Sequence, residues 1–125
     1  MTKFFICEIC GNIIGMIKDN GGPLTCCGED MTHLEPNTVE ASHEKHLPHV
    51  TKTENGIRVA VGSVLHPMAE EHYIDFIYVK TERGGQLTGL AIGDSPEAVF
   101  SFVGDKPVEV YAYCNLHGLW KVDLS

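Results

Sequence analysis

The chain has 125 residues, is 43% hydrophobic and carries a formal net charge of −8. That length supports one ordinary domain plus a small appendage. The acidity argues against nucleic-acid binding and fits solubility, or a basic or charge-patched partner. No run of roughly 18 apolar residues occurs, so no transmembrane helix is expected. The start, Met1-Thr2-Lys3-Phe4-Phe5-Ile6-Cys7, lacks a long apolar stretch before Glu8 and does not read as a signal peptide, which makes the cytoplasm the expected compartment. Five cysteines is an odd number, whereas secreted disulfide frameworks usually have an even one. In a reducing compartment, metal ligation is the better reading.

Residues 1–36 form the first unit. It is built on Cys7-Glu8-Ile9-Cys10-Gly11 and Thr25-Cys26-Cys27-Gly28, with Gly21-Gly22-Pro23 as a turn between them. Segments below roughly 40 residues have little apolar surface to bury and usually need a metal, disulfides or a partner chain. Cys7 and Cys10 have zinc-ribbon or rubredoxin-like spacing, and Gly11 permits the tight turn that lets backbone amides face the sulfurs. Cys26 and Cys27 are adjacent, and neighbouring side chains on an extended backbone diverge. Both reach one metal only where the chain bends, so a distorted tetrahedron is expected, which favours a redox iron over a relaxed zinc. Spacing alone leaves the two metals even, because tetrahedral thiolate sites suit either, and a zinc knuckle that only holds the fold is the plain alternative.

Residues 37–49 read as a polar linker and loop, with Pro48 preventing regular helix beyond it. The rest alternates at period two, the pattern of half-buried strands. Ile57, Val59 and Val61 are expected to share a face, as are Ile74, Phe76 and Tyr78, then Thr88, Leu90 and Ile92, then Ala98, Phe100 and Phe102. Val108, Val110 and Ala112 follow, then Val122 and Leu124. Turn signals separate them at Glu54-Asn55-Gly56, Arg83-Gly84-Gly85, Gly93-Asp94-Ser95-Pro96 and Gly104-Asp105-Lys106-Pro107. About seven short strands at such spacing suggest an all-β chain whose second unit, residues 37–125, is an immunoglobulin/fibronectin-III-like β-sandwich. Helix is poorly supported anywhere, apart from a single turn that Ser95-Pro96-Glu97-Ala98 could cap.

The chemistry concentrates in three stretches. Tyr113-Cys114-Asn115-Leu116-His117-Gly118-Leu119-Trp120 places a thiol and an imidazole three residues apart at the end of an apolar strand. Both are strong ligands for borderline metals. His66 and His72 lie in His66-Pro67-Met68-Ala69-Glu70-Glu71-His72, and upstream stands Glu44-Lys45-His46-Leu47-Pro48. A lone His in a strand protein is more often a surface or core residue, and His33, His43 and His49 are read that way. Yet His43 and His49 flank His46 by three residues on either side, so spacing does not choose among the three. Cys114 alone would be ordinary packing, but a His three residues later in a turn-forming Asn-Leu-His-Gly points to ligation. Four His and one Cys on a single metal leave one octahedral position open, which suits iron. Structural zinc takes four ligands, blue copper wants two His, one Cys and a distant Met, and non-haem oxygenases use two His and a carboxylate. Taken alone, Glu44-Lys45 is a solvated charge pair on a loop.

These stretches carry a family likeness. Glu44-Lys45-His46, His66-Pro67-Met68 with Glu71-His72-Tyr73, and Cys114-Asn115-Leu116-His117-Gly118-Leu119-Trp120, in that order, closely resemble the superoxide reductases. With the Cys-rich N-terminus the chain resembles their two-centre members, the desulfoferrodoxins, over almost its whole length. The resemblance implies a desulforedoxin-like first domain and two irons per chain. One is held by Cys7, Cys10, Cys26 and Cys27, with zinc possible there in recombinant protein. The other is held by His46, His66, His72 and His117 in a plane, with Cys114 axial and the sixth position facing solvent. The motif selects His46 over its neighbours because it alone follows Glu-Lys and precedes Leu-Pro. The implied activity is reduction of superoxide to hydrogen peroxide, and hence detoxification of reactive oxygen. In that reading Lys45 steers the anion and organises a proton-donating water. Glu44 fills the sixth position of the resting ferric form and leaves when substrate binds, which calls for a mobile loop. The implied partners are a rubredoxin-like electron donor and a second copy of the chain in a homodimer. A non-catalytic iron electron carrier and a zinc-binding structural module are the alternatives.

Overall fold

The computed structural model describes residues 1–124, and the chain divides into two compact units, Met1–Glu35 and a second beginning at Pro36. In the first, β1 (Phe4–Ile6) pairs antiparallel with both β2 (Ile13–Gly15) and β5 (Thr32–His33). A second, two-stranded hairpin is formed by β3 (Thr25–Cys26) and β4 (Glu29–Asp30). Phe4 and Cys7 are buried here, but Ile9 and Ile17 are exposed. So small an apolar interior does not hold a fold by itself, and a crosslink through the cysteines is the natural remedy.

The second unit is a sandwich of a three-stranded and a four-stranded antiparallel sheet. Strands β6 (Pro48–Lys52), β7 (Gly56–Val61) and β10 (Glu97–Ser101) form the first, in the order β10-β7-β6. The other contains β8 (Ile74–Thr81), β9 (Gly85–Gly89), β11 (Pro107–Cys114) and β12 (Gly118–Asp123), in the order β12-β11-β8-β9. Ile57, Val59, Val61 and Phe100 from one sheet pack with Ile77, Val79, Val110 and Ala112 from the other. Cys114, at the end of β11, belongs to the same cluster. The apolar layer between the sheets therefore runs up to a candidate metal ligand.

Four expectations are corrected. Ile74, Phe76 and Tyr78 do not share a face. The β8–β11 register pairs Cys114 with Ile74 but Tyr113 with Phe76, so Asp75 is an extra residue, a bulge. Beyond it Ile77 and Val79 turn to the core, while Phe76 stacks on Tyr113 and Tyr78 lies against Tyr111. The strand drawn through Leu90 and Ile92 ends at Gly89, and Ile92 is exposed. The linker of residues 37–49 contains structure: a single helical turn, α1 (His43–His46), and the first residues of β6. No helix forms at Ser95–Ala98, where Glu97 already begins β10.

That turn is held by its surroundings rather than by propensity, which four residues cannot supply. Glu44 O accepts from Val64 N–H and from Ser63 Oγ, and Leu47 N–H donates to His43 O. Gly62 lies directly beneath. A Cβ there would stand 2.5 Å from Glu44 O and 2.8 Å from Leu47 O, backbone atoms that cannot swing aside. Gly62→Ala is expected to cost about 1–3 kcal/mol and to loosen the turn. Denaturant melts with hydrogen exchange at the Leu47 amide check this, and a variant as stable and as protected as the parent contradicts it.

Candidate metal centres

In the first unit, the bend demanded by an adjacent cysteine pair is present. Cys27 (φ 53°) and Gly28 (φ 78°) both adopt left-handed conformations in the tight turn joining β3 to β4. This brings Cys26 Sγ and Cys27 Sγ to 3.9 Å, and Cys26 Sγ lies 3.6 Å from Cys10 Sγ. The edge of a regular tetrahedron on metal–sulfur bonds of about 2.3 Å is about 3.8 Å. All four sulfurs lie within 4.8 Å of one another. Cys10 N–H points at Cys7 Sγ at 3.5 Å and pulls its pKa down to about 6. Contacts with Cys10 and the other thiols push Cys27 up to about 12, and Cys26 is raised as well. Four thiols crowded this way cannot all ionise without a cation among them. The donor set fits a tetrahedral thiolate-loving metal.

In the second unit, His46 ends α1 and is only 3% exposed. Its Nδ1 lies 2.7 Å from Ser42 O. A carbonyl only accepts, so Nδ1 carries the hydrogen and Nε2 keeps its lone pair. His66 is arranged alike, with Nδ1 2.7 Å from Pro67 O. The two Nε2 atoms then face each other at 3.2 Å. Two lone pairs at that distance repel, and neither nitrogen readily takes a proton. Burial depresses the pKa of His66 to about 4 and lowers that of His46 as well. His72 is lowered chiefly by burial, then by the charges of His117 and Lys45. Its Nε2 is buried with no hydrogen-bond partner among the described residues. A metal cation satisfies all of these nitrogens together.

The rings have a definite order. Centroids are 4.7 Å apart for His46–His66, 4.5 Å for His66–His72, 5.1 Å for His72–His117 and 4.9 Å for His117–His46. Across the diagonal, His46 and His72 are 6.3 Å apart. Four imidazoles thus form a closed ring about one centre. His117 presents Nδ1 to it, 3.1 Å from His46 Nε2 and 3.8 Å from Cys114 Sγ. His46, His72, Cys114 and His117 offer donor atoms within 4.8 Å of one another, and His66 joins through its contact with His46. Cys114 has no solvent exposure. Burial raises its thiol pKa, against the backbone N–H groups of Leu116 and His117, which favour the thiolate. His43 and His49 are exposed and stand outside the ring, as does His33 in the first unit.

Two residues without a role in the sequence reading carry this arrangement. Trp120, fully buried, stacks on His46 at 5.0 Å and donates from Nε1 to His117 O, so it backs two of the four rings' segments. Asn115 bonds to the backbone on both sides of His72. Both lie inside the Cys114–Trp120 motif, and that placement was the available signal. Lys45 and Glu44 are exposed on α1. In this structure the backbone there is held through Glu44 O, which accepts from Val64 N–H and Ser63 Oγ.

Comparison with known proteins agrees with this geometry. The family model described as desulfoferrodoxin matches residues 38–123, and that described as desulfoferrodoxin, N-terminal domain, matches residues 2–34. The desulfoferrodoxin of Syntrophotalea carbinolica is 47% identical over 94% of this chain and 93% of its own. That of Nitratidesulfovibrio vulgaris is 43% identical over 97% and 95%. The crystal structure of the superoxide reductase from Treponema pallidum superposes with a TM-score of 0.84 at 36% identity, covering 98% of this chain and 99% of that one. The chain belongs to the desulfoferrodoxin family.

The depressed histidines make a pH prediction for metal-free protein. The folded state keeps His66 neutral down to about 4, whereas the unfolded chain protonates it from 6.5 downward. The unfolded state therefore binds more protons in that window, and stability falls as pH falls through it. Bound metal should be released in the same direction, because protons compete for the same nitrogens. Denaturant melts of metal-free protein between about pH 7.5 and about 4.5 check this. A flat profile would contradict buried neutral imidazoles.

Proposed function

We propose that this chain is a superoxide reductase, taking superoxide, one electron and two protons to hydrogen peroxide. The observation that carries the proposal is the closed ring of four imidazoles with the buried Cys114 thiol beside it. Five donors from the protein leave room for one exchangeable ligand, which an electron carrier does not need and a structural zinc does not tolerate. The likeness to the Treponema pallidum superoxide reductase supports the same reading. We further propose that the metal is iron at both centres, on Cys7, Cys10, Cys26 and Cys27 and on His46, His66, His72, Cys114 and His117. Iron at the second centre would supply the electron to superoxide, and an external donor, rubredoxin-like by the family resemblance, would restore it.

The chain's own groups account for the rest. Neutral imidazoles and a single thiolate leave a divalent ion with net positive charge, which attracts an anion. Cys114 is kept anionic by the N–H groups of Leu116 and His117 once a metal displaces its proton. Lys45, whose charge is felt at His46 and His72, adds to the local field in an otherwise acidic protein. It would draw superoxide in and hold a water that delivers a proton. Glu44, beside it on the same turn, is a hard donor suited to the ferric resting form. Its exchange with substrate requires it to swing away from that position.

The test is pulse-generated superoxide against reduced protein at two ionic strengths. Lys45→Ile should slow the second-order reaction about tenfold and weaken its salt dependence, since less attraction remains to screen. Lys45→Arg should keep most of the rate, and Glu44→Ala should change it little. If Lys45→Ile reacts as fast as the parent at low salt, the steering role is wrong. If the parent does not react with superoxide at all, the carrier or zinc reading replaces the enzyme.

A further inference from the structure

We infer that Asn115 is a positioning residue for His72, holding that ring in the metal centre in place of the anchoring bond that His46 and His66 possess. The inference rests on the ligand reading above. His46 and His66 are each oriented by Nδ1 donating to a carbonyl, from Ser42 and Pro67. Among the described residues no such bond orients the His72 imidazole, and its Nε2 is left without a partner. Its placement therefore falls to its backbone. That backbone forms a small closed turn with Ala69, where each residue's N–H donates to the other's carbonyl. The turn lies outside both sheets and needs a tether.

Asn115 supplies it with three bonds. Its backbone N–H donates to Tyr73 O at 3.2 Å, Tyr73 N–H donates to its Oδ1 at 2.8 Å, and its Nδ2 donates to Glu71 O at 3.2 Å. Both neighbours of His72 are thus gripped by one residue. The grip sits where it is needed. The β8–β11 ladder slips by one residue at Asp75, so the sheet does not by itself fix how the segment before Ile74 meets the one after Cys114. An amide offers an acceptor and a donor on one short side chain, and so continues the ladder past the slip. Because Asn115 directly follows Cys114 and precedes His117 by two, the same residue sets His72 relative to the thiolate and to the neighbouring ring.

The experiment uses the full iron-loaded chain and the variants Asn115→Ala and Asn115→Asp, with Cys114→Ser identifying the absorbance that belongs to the second centre. Metal release to a chelator is followed at that band, and the hyperfine-shifted imidazole resonances of the ferrous protein are compared. Asn115→Ala should release metal about 10–100 times faster. The His72 resonances should move while those of His46 and His66 stay, and the four-cysteine centre should be unaffected. Asn115→Asp keeps the acceptor for Tyr73 N–H and loses the donor to Glu71 O, so it should fall between parent and Ala. It also carries the comparison if the alanine variant does not fold. Unchanged release, or an equal shift of all four imidazoles, overturns the positioning role. A parent without any Cys114-dependent band overturns the ligand reading itself, and the inference with it.

Discussion

Two imidazole nitrogens, His46 Nε2 and His66 Nε2, face each other at 3.2 Å with their lone pairs turned together. Their opposite nitrogens are tied to the carbonyls of Ser42 and Pro67, so neither ring can relieve the repulsion by changing tautomer. Burial depresses the basicity of both, so a proton is a poor remedy at neutral pH. A metal cation is the remedy that also satisfies the buried Nε2 of His72. Much of the second unit can be understood as the scaffold for that one constraint. Trp120 backs His46 from the end of the core, Gly62 lets the α1 turn lie close enough to bring His46 in, and β11 delivers Cys114 from the apolar layer.

The same logic operates on a smaller scale in the first unit. A core of Phe4 and Cys7 leaves little hydrophobic stabilisation, and four thiols within 4.8 Å leave their protons in conflict. A metal there serves both needs, since binding free energy at a site absent from the unfolded chain is folding free energy. The left-handed Cys27 is the local cost of that arrangement, because a side chain with a Cβ seldom adopts such a backbone.

The alternation of Ile57, Val59 and Val61 made β7 legible from sequence, because a core face on a regular strand repeats every second residue. The same rule failed on β8, where one extra residue at Asp75 exchanges the faces and leaves no mark in composition. The α1 turn was invisible because four residues show no helical period, and its stabilising partners, Ser63 and Val64, come from the far side of a hairpin. The motifs selected His46 from three equally spaced histidines. In the structure His46 is buried in the ring, whereas His43 and His49 are exposed. What no spacing could show was the orientation of each ring. That depends on carbonyls at Ser42 and Pro67 and on the amide of Asn115, which are backbone and side-chain contacts of the folded chain.

On the proposed reading, the ring of four imidazoles with Cys114 would hold a redox iron separate from that of the four cysteines. Metal analysis of protein from iron-replete cells, with the visible spectrum of the oxidised form, separates the two centres when Cys26→Ser and Cys114→Ser are measured beside the parent. Two irons per chain are expected in the parent. Cys26→Ser should disturb the signal of the first centre and spare that of the second. Cys114→Ser should abolish the thiolate-to-iron absorption of the second centre and spare the first. One iron per chain, with a spectrum indifferent to Cys114, would contradict it.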